Sequence, residues 1–204
     1  MKPLILGLAF FILAGCVPAP TTAPSGDGEA RWMARRAQLA CRPSWEVQGR
    51  VGLVANGEGW TARLTWRQEA ERYSISLNGP LGTGGVRIDG DQRLLTVQSA
   101  GETRYFEMGP EDALWQVTGQ RLPLEGLRYW LLGVDAPGSP SDPVWDDKGR
   151  LRQLTQDGWT IQYLAYRSAF GWDLPSRLAA DRSDVRIKLV IQDWVSLTTE
   201  ACAP

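Results

Sequence analysis

Trp60 to Arg67 read WTARLTWR, and this octapeptide decides the fold. Trp60, Ala62, Leu64 and Trp66 project to one side of an extended chain, and Thr61, Arg63, Thr65 and Arg67 to the other. That is the period of a strand with one dry face and one wet face. The pattern spreads in both directions. Upstream, Trp45, Val47, Val51 and Leu53 alternate with Glu46, Gln48 and Arg50, and the NGEG at Asn56 to Gly59 makes the turn between. Downstream, Tyr73, Ile75 and Leu77 alternate with Ser74 and Ser76.

Further strands are expected at Val86 to Ile88, Leu94 to Ser99 and Thr103 to Met108, and again around Leu151 to Thr155, Trp159 to Arg167, Arg177 to Ala180 and Arg186 to Val195. The DKG at Asp147 to Gly149 is a tight hairpin signal. Three helices interrupt. Glu29 to Cys41 sets Ala30, Met33, Ala37 and Ala40 at helical spacing. Pro110 and Pro123 each sit at a favoured first helical position, ahead of EDALWQVTG and LEGLRYWLL. The second of these aligns Leu124, Leu127 and Leu131 on one face. The outline is mainly β with α: roughly eleven short strands in one antiparallel sheet. With only one sheet, the apolar face must be covered by the helices or must enclose a space. Ten tryptophans, several of them within strands, are either a Trp-rich core or the lining of a cavity.

The first residues, MKPLILGLAFFILAGC, carry a basic Lys2 and an apolar run from Leu4 to Ala14. The run is shorter than the ~20 residues that span a bilayer and fits a secretory signal peptide. Leu13-Ala14-Gly15-Cys16 resembles the bacterial lipobox, in which the cysteine is acylated and becomes the first residue. Residues 1–15 are therefore read as signal, 16–29 as a lipidated N-terminus and flexible tether rich in Pro, Ala and Thr, and 30–204 as one β domain. Removing the signal leaves 189 of the 204 residues, with 21 basic and 23 acidic side chains. Two or more buried acyl chains anchor a protein stably. Position +2 is Val17 rather than the aspartate that retains lipoproteins at the inner membrane, which implies the periplasmic face of the outer membrane.

Composition excludes several classes. The chain has no histidine, which removes Ser-His-Asp triads, His-bearing zinc sites and imidazole acid/base chemistry. No phosphate-cradling glycine motif occurs, so no nucleotide cofactor is expected, and no metal. Charges nearly cancel without clustering, which argues against nucleic acid. Two acidic pairs, Glu111-Asp112 and Asp146-Asp147, are the only candidates for glycan hydrolysis, but a helix start and a hairpin account for them more simply. Cys41 and Cys202 either tie the first helix to the C-terminal tail or stay as two thiols. Leu81, inside the turn-rich NGPLGTGG of Asn78 to Gly85, either folds onto the core or is held out for something apolar.

Three stretches, NGPLGTGGVRIDG (Asn78 to Gly90), LPLEGLRYWLLG (Leu122 to Gly133) and VRIKLVIQDW (Val185 to Trp194), together resemble the outer-membrane lipoprotein receptors of the LolB family. The resemblance runs from about Trp32 to Trp194. It implies an unclosed, strongly curved barrel with a helical lid over an apolar cavity. It also implies a monomeric receptor that takes acylated lipoproteins from the soluble periplasmic carrier LolA and inserts them into the inner leaflet of the outer membrane. The family's exposed loop leucine maps onto Leu81, flanked by Pro80 and Gly82, although an extra glycine precedes the proline here. Trp66, Trp130 and Trp159 match family aromatics. Alternation and resemblance together nominate Trp60, Leu64, Trp66, Ile75, Leu77, Leu127, Trp130, Leu131, Trp159, Ile161 and Tyr163 as cavity lining. The rival reading is a lipid-anchored scaffold, or a binder of a different lipid, in outer-membrane assembly.

Overall fold

The computed structural model describes residues 26–41, 44–79 and 85–198. The expected signal, the lipid attachment at Cys16, most of the tether, Pro80, Leu81, Gly82 and Cys202 lie outside them. Helix α1 (Gly26–Leu39) is followed by strands β1 (Ser44–Ala55), β2 (Glu58–Glu69), β3 (Arg72–Asn78), β4 (Val86–Gly90), β5 (Leu95–Ser99) and β6 (Glu102–Phe106). Helices α2 (Pro110–Thr118) and α3 (Leu124–Trp130) come next. Strands β7 (Ser141–Trp145), β8 (Leu151–Gln156), β9 (Trp159–Ala169), β10 (Trp172–Arg182) and β11 (Val185–Leu197) complete the described part.

All eleven strands form a single antiparallel sheet in the order β6-β5-β4-β3-β2-β1-β11-β10-β9-β8-β7. The first and last strands meet at its centre. The outer strands β6 and β7 do not pair, so the barrel stays open, and the chain crosses from one to the other through α2 and α3. Four of the hairpins turn on Asn56-Gly57, Ala100-Gly101, Asp157-Gly158 and Phe170-Gly171, with both central residues at positive φ. Such turns match the right-handed twist of paired strands and fix each register.

Curvature is concentrated on the central seam. Its register shifts twice, between Glu46 and Val47 and between Gln48 and Gly49, so β11 carries extra residues opposite β1. Bulges of this kind bend and twist a strand. Gly49 is required there, because an added Cβ would collide with the Val190 carbonyl oxygen. Pro175 sits at a third irregularity, on β10, and Pro143 on the edge strand β7, the two places where a missing N–H is tolerated.

Two expectations need correction. Helix α1 begins at Gly26, inside the stretch read as tether. Its buried face is Gly28, Trp32, Arg35 and Leu39, whereas Met33 is 55% exposed and Ala30 and Ala37 face solvent. The reason is size: Trp32 stacks on Trp145 at 6.3 Å, a far larger apolar contact than alanines make. Arg35 joins that face by laying its guanidinium beside Tyr166 and Trp172 and donating to the Asp173 and Leu132 carbonyls. Sequence alone does not mark strand β7, since SDPVW lacks a clean alternation and contains proline. Cys41 is disulfide-bonded.

Candidate functional site

The inward residues of the sheet stack in rows that cross it strand by strand. One row runs Trp66, Ile75, Ile88 and Val97, each opposite the next, and a second runs Leu64, Leu77, Val86 and Ser99. On the other side of β2, Ala62 faces Val51 and Trp60 faces Leu53, which continue to Leu189 and Ile187 on β11. Opposite this wall stand Leu114 of α2 and Leu122, Leu124 and Leu127 at α3. Between wall and helices lies a cavity of about 460 Å³. Among the described residues, no charged side chain lines it. Thr61 and Ser99 supply the only hydroxyl side chains among the described lining residues, while Val51, Leu53, Ile75, Leu77, Ile88, Leu124, Leu127, Ile187 and Leu189 supply most of the rest.

The cavity has a floor and a mouth. Trp66 is 3% exposed and packs on Trp45, which in turn meets Trp194, with ring centroids 5.4 and 6.0 Å apart. Both outer rings are hydrogen-bonded: Trp66 Nε1 donates to Gln68 Oε1 at 3.1 Å and Trp194 Nε1 to the Pro175 carbonyl at 3.1 Å. At the opposite end Trp60 also lines the cavity but is 44% exposed, and Gly79, next to the Pro80–Gly82 segment, completes the rim.

Of the eleven nominated residues, Trp60, Leu64, Trp66, Ile75, Leu77 and Leu127 line this space. Trp130, Leu131, Trp159, Ile161 and Tyr163 do not, which corrects that part of the list. They belong to a solid packing layer on the β8–β10 side, with Leu151, Leu154, Leu174 and Leu178, none more than 8% exposed. Gln156 pins this layer: its Oε1 accepts from Trp130 Nε1 and the Ala136 N–H, both at 2.9 Å, and its Nε2 donates to the Ala136 carbonyl at 2.8 Å. The Tyr163 hydroxyl donates to the Trp130 carbonyl at 3.1 Å, and burial pushes its pKa well up. The residues missed on the true wall, among them Leu53, Ala62, Ile88, Val97 and Leu189, carry the same alternation signal as those named.

The acidic pairs hold local structure. Asp112 forms an ion pair with Arg121. Asp146 accepts from the backbone N–H groups of Lys148 and Arg150 and from the Arg150 guanidinium, closing the β7–β8 turn. Partial burial raises the Glu111 carboxyl above its ordinary range, with Glu125 and Asp157 reinforcing and Arg182 opposing. Among the described residues no helix is long and apolar enough to cross a membrane.

Several known proteins are similar to this chain. Outer-membrane lipoprotein LolB of Pseudomonas paraeruginosa is 38% identical over 188 residues, covering 91% of this chain and 92% of its own. The LolB of Nitrosococcus oceani is 35% identical over 191 residues, covering 93% and 95%. Among solved structures, a LolA-superfamily protein from Nitrosomonas europaea superposes with a TM-score of 0.52 at 12% identity, covering 81% of this chain and 91% of its own. A putative outer-membrane lipoprotein-sorting protein domain from Vibrio parahaemolyticus does so with a TM-score of 0.53 at 9% identity, covering 85% and 92%. At such identities these two likenesses speak for the fold alone. The family model described as "Outer membrane lipoprotein LolB" matches residues 43–194, and the chain belongs to that family of outer-membrane lipoproteins.

Proposed function

We propose that this protein is the acceptor of lipoproteins at the outer membrane. It takes the acyl chains of a cargo lipoprotein from a soluble periplasmic carrier of the LolA kind into the cavity, then releases the cargo into the facing leaflet. The observation that carries this reading is the charge-free apolar cavity of about 460 Å³, of the size range that encloses small apolar ligands. A lipid-anchored scaffold has no use for such a space.

The energetics support a handover. Each long acyl chain costs ~10 kcal/mol to expose to water, at ~0.8 kcal/mol per CH2, so the cargo must pass from one apolar enclosure to another. With no nucleotide motif in the chain, transfer runs downhill, and each successive site binds the chains more tightly than the last. Leu81 is worth only ~1.5–3 kcal/mol when buried, too little to anchor the protein beside its own acyl chains. Its role is to touch the bilayer and lower the barrier to release.

The test is a transfer assay. The mature chain with Cys16→Ala, which keeps every described element, is mixed with a carrier loaded with a lipoprotein, and co-purification shows where the cargo ends. Cargo on this protein is the expected result, and cargo remaining on the carrier refutes the reading. Leu81→Glu is then expected to accept cargo normally and to fail at insertion into vesicles. Normal insertion by that variant removes Leu81 from the mechanism.

A further inference from the structure

The outward face of the sheet carries a charge arrangement that neither the cavity nor the fold explains. Arg63 of β2 stands directly opposite Arg50 of β1, Arg50 opposite Val190 of β11, and Val190 opposite Arg177 of β10. Lys188 lies on the same face, two residues from Val190. All four cations are exposed, and none has an ion pair or side-chain hydrogen bond with any described residue. Three other arginines on this face are matched with acids: Arg67 with Glu46, Arg87 with Asp89 and Arg186 with Asp181. Asp193, opposite Gln48 in the next register position, forms no ion pair with the row. Like charges directly opposite on paired strands destabilise a sheet, so the Arg50–Arg63 pair is held at a cost.

We propose that this row is a docking surface for the anionic phospholipid headgroups of the membrane to which the protein is attached. Three features select lipid. The family resides at the outer membrane, so a phospholipid leaflet is the surface held at high local concentration, and a row of cations selects its anionic headgroups. Apolar side chains are interleaved with the cations: Val190 is 42% exposed, and Leu164, in the β9 bulge beside Arg177, is 57% exposed. Basic stems with apolar neighbours suit the boundary between headgroups and acyl chains. Finally, Arg63 faces Asn78, where β3 leaves the sheet near the cavity rim. The row therefore orients the domain on the leaflet, independently of what the cavity binds.

The test is co-sedimentation of the mature Cys16→Ala chain with vesicles of phosphatidylcholine alone, and of phosphatidylcholine with one-third phosphatidylglycerol. Binding to the anionic vesicles is expected to be stronger and to weaken with added salt. Each cation near an anionic leaflet is worth ~1 kcal/mol, or about five-fold in binding, so Arg50→Gln/Arg63→Gln should lose about thirty-fold. Arg50→Lys/Arg63→Lys should bind as the parent does. The glutamine variant should also melt no lower than the parent and bind a fluorescent fatty acid in the cavity equally well. Those readouts separate this surface from the acyl site and from unfolding. Equal binding to both vesicles overturns the proposal, as does a glutamine variant that binds like the parent. A variant that keeps vesicle binding but loses uptake from the carrier assigns the row to a protein partner instead.

Discussion

The inner face of the sheet is one surface with two different fates. On the β8–β10 side it is filled: Trp130, Leu131 and Leu132 press down on Leu154, Trp159, Ile161 and Leu178, and every one is at most 2% exposed. On the β1–β5 side the same alternation builds a wall of comparable character, yet the helices above it offer only a thin row of leucines, and the space stays hollow. The difference lies in what stands opposite the strands. A hydrophobic face does not decide whether it will be packed; the bulk that arrives from the connecting helices does. A void costs stability in proportion to its size, so one retained beside a close-packed layer supports the acceptor role proposed above.

The largest effects should separate the two halves. Trp159→Ala, in the filled half, is expected to cost ~3–5 kcal/mol, whereas Leu64→Ala, on the hollow wall, should cost ~2 kcal/mol or less because part of its surroundings is already empty. Urea unfolding reads both, and equal losses would mean the hollow is closed in solution. Insertions should show the reverse sensitivity. Ala180→Phe, at a fully buried position, should cost ~1–3 kcal/mol by overpacking. Ala62→Phe should change stability by less than ~1 kcal/mol while lowering fatty-acid binding at least tenfold. Removing the pin between α3 and β8 with Gln156→Leu strands the Trp130 N–H, at ~1–3 kcal/mol.

The smallest contrast is in pH. Glu111, on the lid helix, has a carboxyl raised by partial burial, so the folded state holds its proton more tightly than the unfolded chain. Its contribution is therefore greatest below the unfolded value of ~4.3 and is lost as pH rises through the folded one. Asp146, at the turn beside the filled half, is the opposite case. Burial pushes its carboxyl up, but the Arg150 side chain and the Lys148 and Arg150 N–H groups more than offset it. Its contribution is present above ~3.9 and is lost as pH falls through the lowered folded value. Glu111→Gln should accordingly raise the melting temperature slightly at neutral pH and not near pH 4. Asp146→Asn should lower it at neutral pH and converge with the parent in acid.

The sheet was legible because period two in WTARLTWR and its neighbours admits one reading, and the Asn56-Gly57 pair marks the β1–β2 turn. The cavity wall was legible only as a face. Trp159, Ile161 and Tyr163 alternate as cleanly as Leu64 and Trp66, and nothing local to either strand reports that Trp130 and Leu131 will land on the former. The face of α1 failed for a related reason. Alanine spacing outlined a stripe, but the stacking of Trp32 on Trp145 and the burial of Arg35 against Tyr166 and Trp172 arise only when β7 and β10 are in place. Gly149 is a sequence mark of that docking, since a Cβ there would strike the α1 backbone.

The seam between β1 and β11 also shapes how the chain assembles. Each wing is a run of local hairpins that closes quickly, but the seam joins residues separated by nearly the whole domain, as when the Thr198 N–H meets the Ser44 carbonyl. Contacts of such long range form late and slow a folding reaction. A chain still emerging through a membrane pore has both wings available and no way to join them, because the last strand is also the last to arrive. Commitment to the native state thus waits for β11, and a chain cut short before it leaves the edges of β1 and β10 exposed.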